Sequence, residues 1–154
     1  MMTDRRFGSI AEVIAFAIRR EIEAAEGYAA IGGMAATPGL RELAADLRGQ
    51  EESHRRILEG LSGETLRELA PSCTPDLHIV DDLADEVPAS DMAIQDMLIF
   101  AAKKESRAIA LYDDLARAAS AAGHDQVFRF LAGQEREHKL RLEAEYEKQF
   151  LQEN

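Results

Sequence analysis

Apolar residues recur at three- and four-residue spacing along four long segments of the chain, the period of one face of an α-helix. The first stripe is Ile10, Ile14, Ala17, Glu21, Ala24, Tyr28, Ile31 and Ala35. Ser9 followed by Glu12 predicts a capping box at its start, and Thr37 with Pro38 predicts its end and the cap of the next helix. The second stripe is Leu40, Leu43, Leu47, Glu51, His54, Leu58 and Leu61. Ser90 is expected to open a third helix, with Ile94, Leu98, Ala101, Glu105, Ala108, Tyr112, Leu115 and Ala119 on one face. Gly123 separates it from a fourth, which carries Phe128, Leu131, Glu135, His138, Leu142 and Tyr146. Every stripe therefore holds ionisable residues at positions that face a core.

Three of the four prolines and a group of acidic residues fall between Gly60 and Pro88, which reads as a connection with one short helix near Glu64 to Leu69. Helices of nearly thirty residues are roughly 40 Å long at about 1.5 Å per residue. A connection of this length can return along the whole of such a helix. The expected fold is all-α: a four-helix bundle with one long crossover between helices 2 and 3. The helix pairs are expected at about 9–60 and 90–152, the crossover at about 61–89, and all of 1–154 in one domain, which suits a chain of 154 residues.

Composition supports helix, with abundant alanine, leucine and glutamate and no tryptophan. A net charge of −11 argues against nucleic acid or an anionic membrane as partner and favours metal cations. The lone Cys73 can form no internal disulfide, and Glu12 interrupts the apolar run of the opening "MMTDRRFGSIAEVIAFAIRR", which lacks the shape of a signal peptide. A cytoplasmic location is expected. No apolar run of about 18 residues exists to span a membrane.

The two halves repeat one another. "LRGQEESHRRILE" from Leu47 returns as "LAGQEREHKLRLE" from Leu131, and an ungapped shift of 84 also aligns Phe16 with Phe100, Glu21 with Glu105, Tyr28 with Tyr112 and Gly39 with Gly123. Each hairpin thus places a Glu thirty residues before a Glu-x-x-His, with a Tyr seven after the first Glu. Residues three apart on a helix share a face, so Glu51 with His54, and Glu135 with His138, can each grip one ion. Closing the hairpins about a pseudo-twofold axis gathers Glu21, Glu51, Glu105 and Glu135 around the two imidazoles. Four unpaired carboxylates in an apolar core would each cost several kcal/mol. Two divalent cations would cancel their charge; iron or manganese suits carboxylate and imidazole, and spacing does not separate these from zinc.

A lone Glu-x-x-His in a Glu-rich helix is usually a solvated face. Two copies on apolar stripes in one register, each with its earlier Glu and its Tyr, point instead to a buried site. Tyr28 and Tyr112 read either as core tyrosines or as donors to ligating carboxylates. His78, His124 and Cys73 read as isolated residues without a site, and Glu23, Glu26 and Glu52 as solvent-facing.

These motifs resemble the ferritin-like superfamily of diiron-carboxylate proteins, and within it the rubrerythrin family, over roughly residues 9–59 and 90–146. The resemblance implies two iron ions, with manganese or zinc as substitutes. It makes Glu21 and Glu105 terminal ligands, Glu51 and Glu135 bridging ligands, and His54 and His138 one ligand to each metal. It also implies an oxidoreductase that reduces hydrogen peroxide or oxygen. The chain departs from the family at Ala108, where rubrerythrins commonly carry a further Glu linked to redox-dependent ligand exchange. It also has only Cys73 where a rubredoxin domain has two Cys-x-x-Cys pairs, so an external electron donor protein, or ferrous iron itself, must supply electrons. The alternatives are a ferroxidase that handles iron and a metal-free helical interaction protein. Ferritin-like relatives often assemble, and the long connection favours a homodimer over a cage.

Overall fold

The computed structural model describes residues 9–61, 63–69 and 92–151. Nearly all of them are helical: α1 (Ile10–Met34), α2 (Pro38–Glu59), α3 (Gly63–Leu69), α4 (Ile94–Ala119) and α5 (Asp125–Tyr146). No strand occurs among the described residues. The long helices α1, α2, α4 and α5 form the bundle that the periodicity predicts.

The helix ends follow local chemistry. Ser9 Oγ accepts from Glu12 N at 3.2 Å, and Thr37 Oγ1 accepts from Leu40 N at 3.2 Å, with Pro38 as the first residue of α2. Between α4 and α5 a short 3-10 turn (Ser120–Ala122) leads to Gly123, whose φ of 77° lies in the left-handed region that glycine enters without a steric penalty. The third long helix begins later than the sequence predicts. Its N-cap is Ala93, held in extended backbone at φ −67° and ψ 153°, and its first bond runs from Met97 N to Ala93 O at 3.0 Å. Ser90, the expected cap, lies outside the described residues, as do Cys73 and His78.

Two apolar clusters divide the core lengthwise. One joins Ile10 and Val13 of α1 to Leu58, Leu115 and Phe128; the other joins Tyr28 and Ile31 of α1 to Leu40, Met97 and Leu142. These contacts fix the helix directions. The start of α1 meets the ends of α2 and α4, so α1 runs antiparallel to both. Because α2 finishes at one end of the bundle and α4 starts at the other, these two helix ends stand about one helix length apart, roughly 33 Å for the 22 residues of α2; beyond Leu61 and α3, the predicted crossover at 61–89 lies outside the described residues.

The short helix α3, which the sequence predicts near Glu64 to Leu69, sits at the first of these ends. Leu69 is fully buried in the first apolar cluster, and Glu68 Oε2 lies 2.5 Å from His124 Nε2. His124 is thus partnered, although it stands away from the buried glutamates. Leu69→Ala is expected to lower the unfolding free energy by about 2–4 kcal/mol in urea titration, the usual cost of emptying a buried leucine site. A change under about 0.5 kcal/mol would mean that α3 contributes nothing to the core. No described helix is long and apolar enough to cross a membrane.

Candidate metal centre

Between the two apolar clusters lies the polar layer formed by the anomalous stripe residues. Glu21, Glu51, His54, Glu105, Glu135 and His138 are all buried to within 2 % of full exclusion from solvent. One residue comes from α1, two from α2, one from α4 and two from α5. Each stands at a core-facing position of its helix, so the period that buries the leucines also buries these groups.

The distances order the cluster. Glu51 Oε1 lies 3.2 Å from His54 Nδ1 and 3.1 Å from His138 Nδ1. Glu135 Oε1 lies 3.0 Å from His54 Nδ1 and 3.3 Å from His138 Nδ1. Both carboxylates therefore stand between the imidazoles. Glu21 Oε2 approaches only His54, at 3.6 Å, and Glu105 Oε2 only His138, at 3.8 Å. The two rings are nearly parallel, at 11°, with centroids 5.6 Å apart. One ligand atom from each of Glu51, His54, Glu135 and His138 falls within 4.8 Å of the other three, so this group could hold a metal ion.

The outer atoms of four of these side chains are satisfied by residues from the opposite hairpin. Tyr28 Oη donates to Glu105 Oε1 at 2.5 Å, and Tyr112 Oη donates to Glu21 Oε1 at 2.5 Å. His54 Nε2 meets Gln134 Oε1 at 2.8 Å, and His138 Nε2 meets Gln50 Oε1 at 2.7 Å. An amide oxygen only accepts, so each Nε2 carries the proton and each Nδ1 of the neutral ring is left bare. Gln50 and Gln134 have no place among the residues that the spacing argument selects. Their signal was the Gln that precedes Glu in both copies of Gly-Gln-Glu-x-x-His.

The inner atoms are not satisfied. While both rings are neutral, Glu21 Oε2, Glu51 Oε1, His54 Nδ1, Glu105 Oε2, Glu135 Oε1 and His138 Nδ1 are buried with no hydrogen-bond donor, each facing only other acceptors of the cluster. That is one atom from each member of the cluster, and buried polar groups are seldom left so. The atoms are the hard oxygen and imidazole nitrogen donors that divalent cations take. The donor set therefore fits metal, and the outer bonds leave the inner lone pairs free for it.

Without metal the cluster holds protons. Burial pushes Glu105 well above the usual carboxylate range, with the charges of Glu135 and Glu51 adding to it, and burial raises Glu21 as well. Burial would lower His138, but the carboxylates of Glu135 and Glu51 outweigh it and push the imidazole up to about 9. His54 moves the same way, as Glu135, Glu21 and Glu51 outweigh its burial. Tyr28 and Tyr112 are raised by burial and then by Glu105 and Glu21 respectively, which keeps each phenol a donor.

Glu23 and Glu26 are exposed, as the sequence predicts. Glu52 is half-exposed and pairs with Arg48 at 3.3 Å. The chain matches no protein-family model, no curated protein and no solved structure. The function of the cluster is accordingly read from its own chemistry.

Proposed function

We propose that the protein is a dimetal-carboxylate oxidoreductase of the rubrerythrin kind, reducing hydrogen peroxide or oxygen at the buried Glu/His cluster. The observation that carries this reading is the set of six orphaned inner atoms, one from each residue of the repeated motif. Glu21 and His54 would hold one ion, Glu105 and His138 the other, and Glu51 and Glu135, each placed between the imidazoles, would bridge them. Two iron ions bound there supply the electron pair that reductive cleavage of an O–O bond requires.

The chain's own residues do the rest. Tyr28 and Tyr112 hold protons at their Oη atoms against Glu105 and Glu21, which orients both carboxylates and keeps a proton beside each half of the site. Gln50 and Gln134 fix the tautomer that exposes Nδ1. The apolar clusters lie above and below the site, and a cavity between α1 and α4 reaches the glutamates. The single cysteine forms no redox pair within the sequence, so reducing equivalents would come from a separate donor protein or from ferrous iron itself.

Metal analysis followed by anaerobic peroxide titration tests the assignment. About two iron ions per chain and about one peroxide consumed per two ferrous ions are expected. Iron retained far beyond two per chain would favour an iron-handling ferroxidase instead. Metal absent after loading with ferrous or zinc salts would leave a helical protein without a metal function.

The outer bonds make a further prediction. Gln50→Leu and Gln134→Leu should each weaken metal binding roughly 10- to 100-fold, the range seen when a ligating histidine loses its outer partner. Competition with a chelator of known affinity measures this. Unchanged affinity in both variants would show that the amides serve packing alone.

A further inference from the structure

The repeat predicts that the two ends of the α1–α4 face should be alike, and they are not. A cavity of about 620 Å3 lies between residues 20–31 of α1 and 97–108 of α4. The contrast lies at one position of the α1 wall: Leu111, 84 residues after Gly27, is buried in the first apolar cluster. Gly27 stands where Leu111 stands in the other half. A Cβ built on Gly27 would meet nothing within 4 Å. Glycine inside a helix destabilises it relative to alanine, and here no close packing demands one. Phe100, which corresponds to the buried Phe16, is also only half-buried.

The space is too large for peroxide alone. A water molecule occupies about 30 Å3, so the cavity has room for roughly twenty, and its size lies in the range of about 300–1,000 Å3 typical of organic-ligand sites. Ala24, Gly27, Ile31, Met97, Ala101 and Ala108 give it apolar walls, and the buried glutamates border its deep side. Arg20 and Lys104, themselves 84 residues apart, also line it. Arg20 Nη2 donates to Lys104 O at 2.8 Å, which fixes the guanidinium across the two helices. Its Nε is buried and has no acceptor among the described residues. Glu23 and Glu26 on the outer wall are exposed, where solvent screens them.

We propose that the cavity binds an amphiphilic carboxylate, its alkyl chain lying along Gly27 beside the metal cluster and its head group on Arg20. The assignment rests on the dimetal reading in one respect: bound metal, rather than protons that the cluster can lose, offsets the four glutamates that border the cavity beside an anionic ligand. Gly27→Leu restores the residue of the other half and should fill the cavity, while the change from glycine to a helix former should leave the melting temperature equal or higher.

The test uses the full chain loaded with zinc, with excess zinc removed, zinc content measured and decanoate titrated calorimetrically. Saturable binding of one decanoate per chain is expected. Gly27→Leu should weaken it roughly tenfold or more, and Arg20→Gln should weaken decanoate by a similar factor while changing decanol little. A chain that takes up no zinc overturns the dimetal reading and this proposal with it. A chain that takes up its zinc but no decanoate overturns the cavity assignment alone. So does wild-type affinity in folded Gly27→Leu, and affinity unchanged in Arg20→Gln shows that the head group is held elsewhere and overturns its placement.

Discussion

Loading the metal-free protein with zinc is expected to raise its stability by about 4 kcal/mol for each ion once free zinc stands a thousandfold above the dissociation constant. It should also reverse the trend of stability with pH. In the metal-free state the cluster takes up protons on folding. His138 titrates near 9 when folded, above its ordinary value of 6.5, so its contribution is fully present below about pH 6.5 and is lost as pH rises through 9. The raised carboxyls of Glu21 and Glu105 act in the same direction, favouring the folded state only while protonated. Metal binding needs bare Nδ1 atoms and ionised carboxylates, so its affinity rises over the same interval. The gap between loaded and metal-free melting temperatures should therefore widen from pH 6.5 to 9. Thermal unfolding with chelator and with zinc, at several pH values and with occupancy measured, provides the comparison. Equal melting temperatures at full occupancy, or a metal-free protein that gains stability towards pH 9, would contradict the cluster described here.

What could be read from the sequence was what lies along one helix. The three- and four-residue spacing placed Glu21, Glu51, His54, Glu105, Glu135 and His138 on apolar stripes, and all six are buried. The same spacing understated the width of those stripes. Val13, Phe16, Ala44, Leu111 and Ala132 are buried beside them, because the apolar face of a bundle helix is about 100° wide. Contacts between helices were not legible. Gln134 reaches His54 across 80 residues and Gln50 reaches His138 across 88, and no spacing within one helix states which neighbour a polar side chain will meet. The crossed tyrosine bonds were legible only as two alternatives for the same reason. The cavity was hidden differently: the repeat drew attention to identical positions, whereas the opening arises where the copies differ, at Gly27 against Leu111. The start of α4 lies later than the serine suggested, at Ala93, where the backbone is extended and no side chain caps the helix.

Changing either imidazole should abolish the fast oxidation of the ferrous protein by peroxide, with a fall of roughly 100-fold or more, at or beyond the upper end of what loss of an outer partner gives. The reason is which atoms the two halves share. Glu51 Oε1 and Glu135 Oε1 stand within 3.3 Å of both Nδ1 atoms, whereas Glu21 lies against His54 alone and Glu105 against His138 alone. Removing His54 strips the half that contains Glu21 of its only nitrogen and leaves the other half with Glu105, His138 and both shared carboxylates. His54→Ala should therefore keep about one iron per chain, held near Glu105 and His138, and His138→Ala should keep about one near Glu21 and His54. One ferrous ion cannot deliver the electron pair that two deliver together. Stopped-flow oxidation with iron content measured in parallel separates lost chemistry from lost metal. His124→Ala serves as the control, since His124 bonds Glu68 on α3 and takes no part in the cluster. A fast phase retained in both imidazole variants would sink the two-metal reading. Loss in only one would replace it with a single-ion site on the half that the damaging substitution removes.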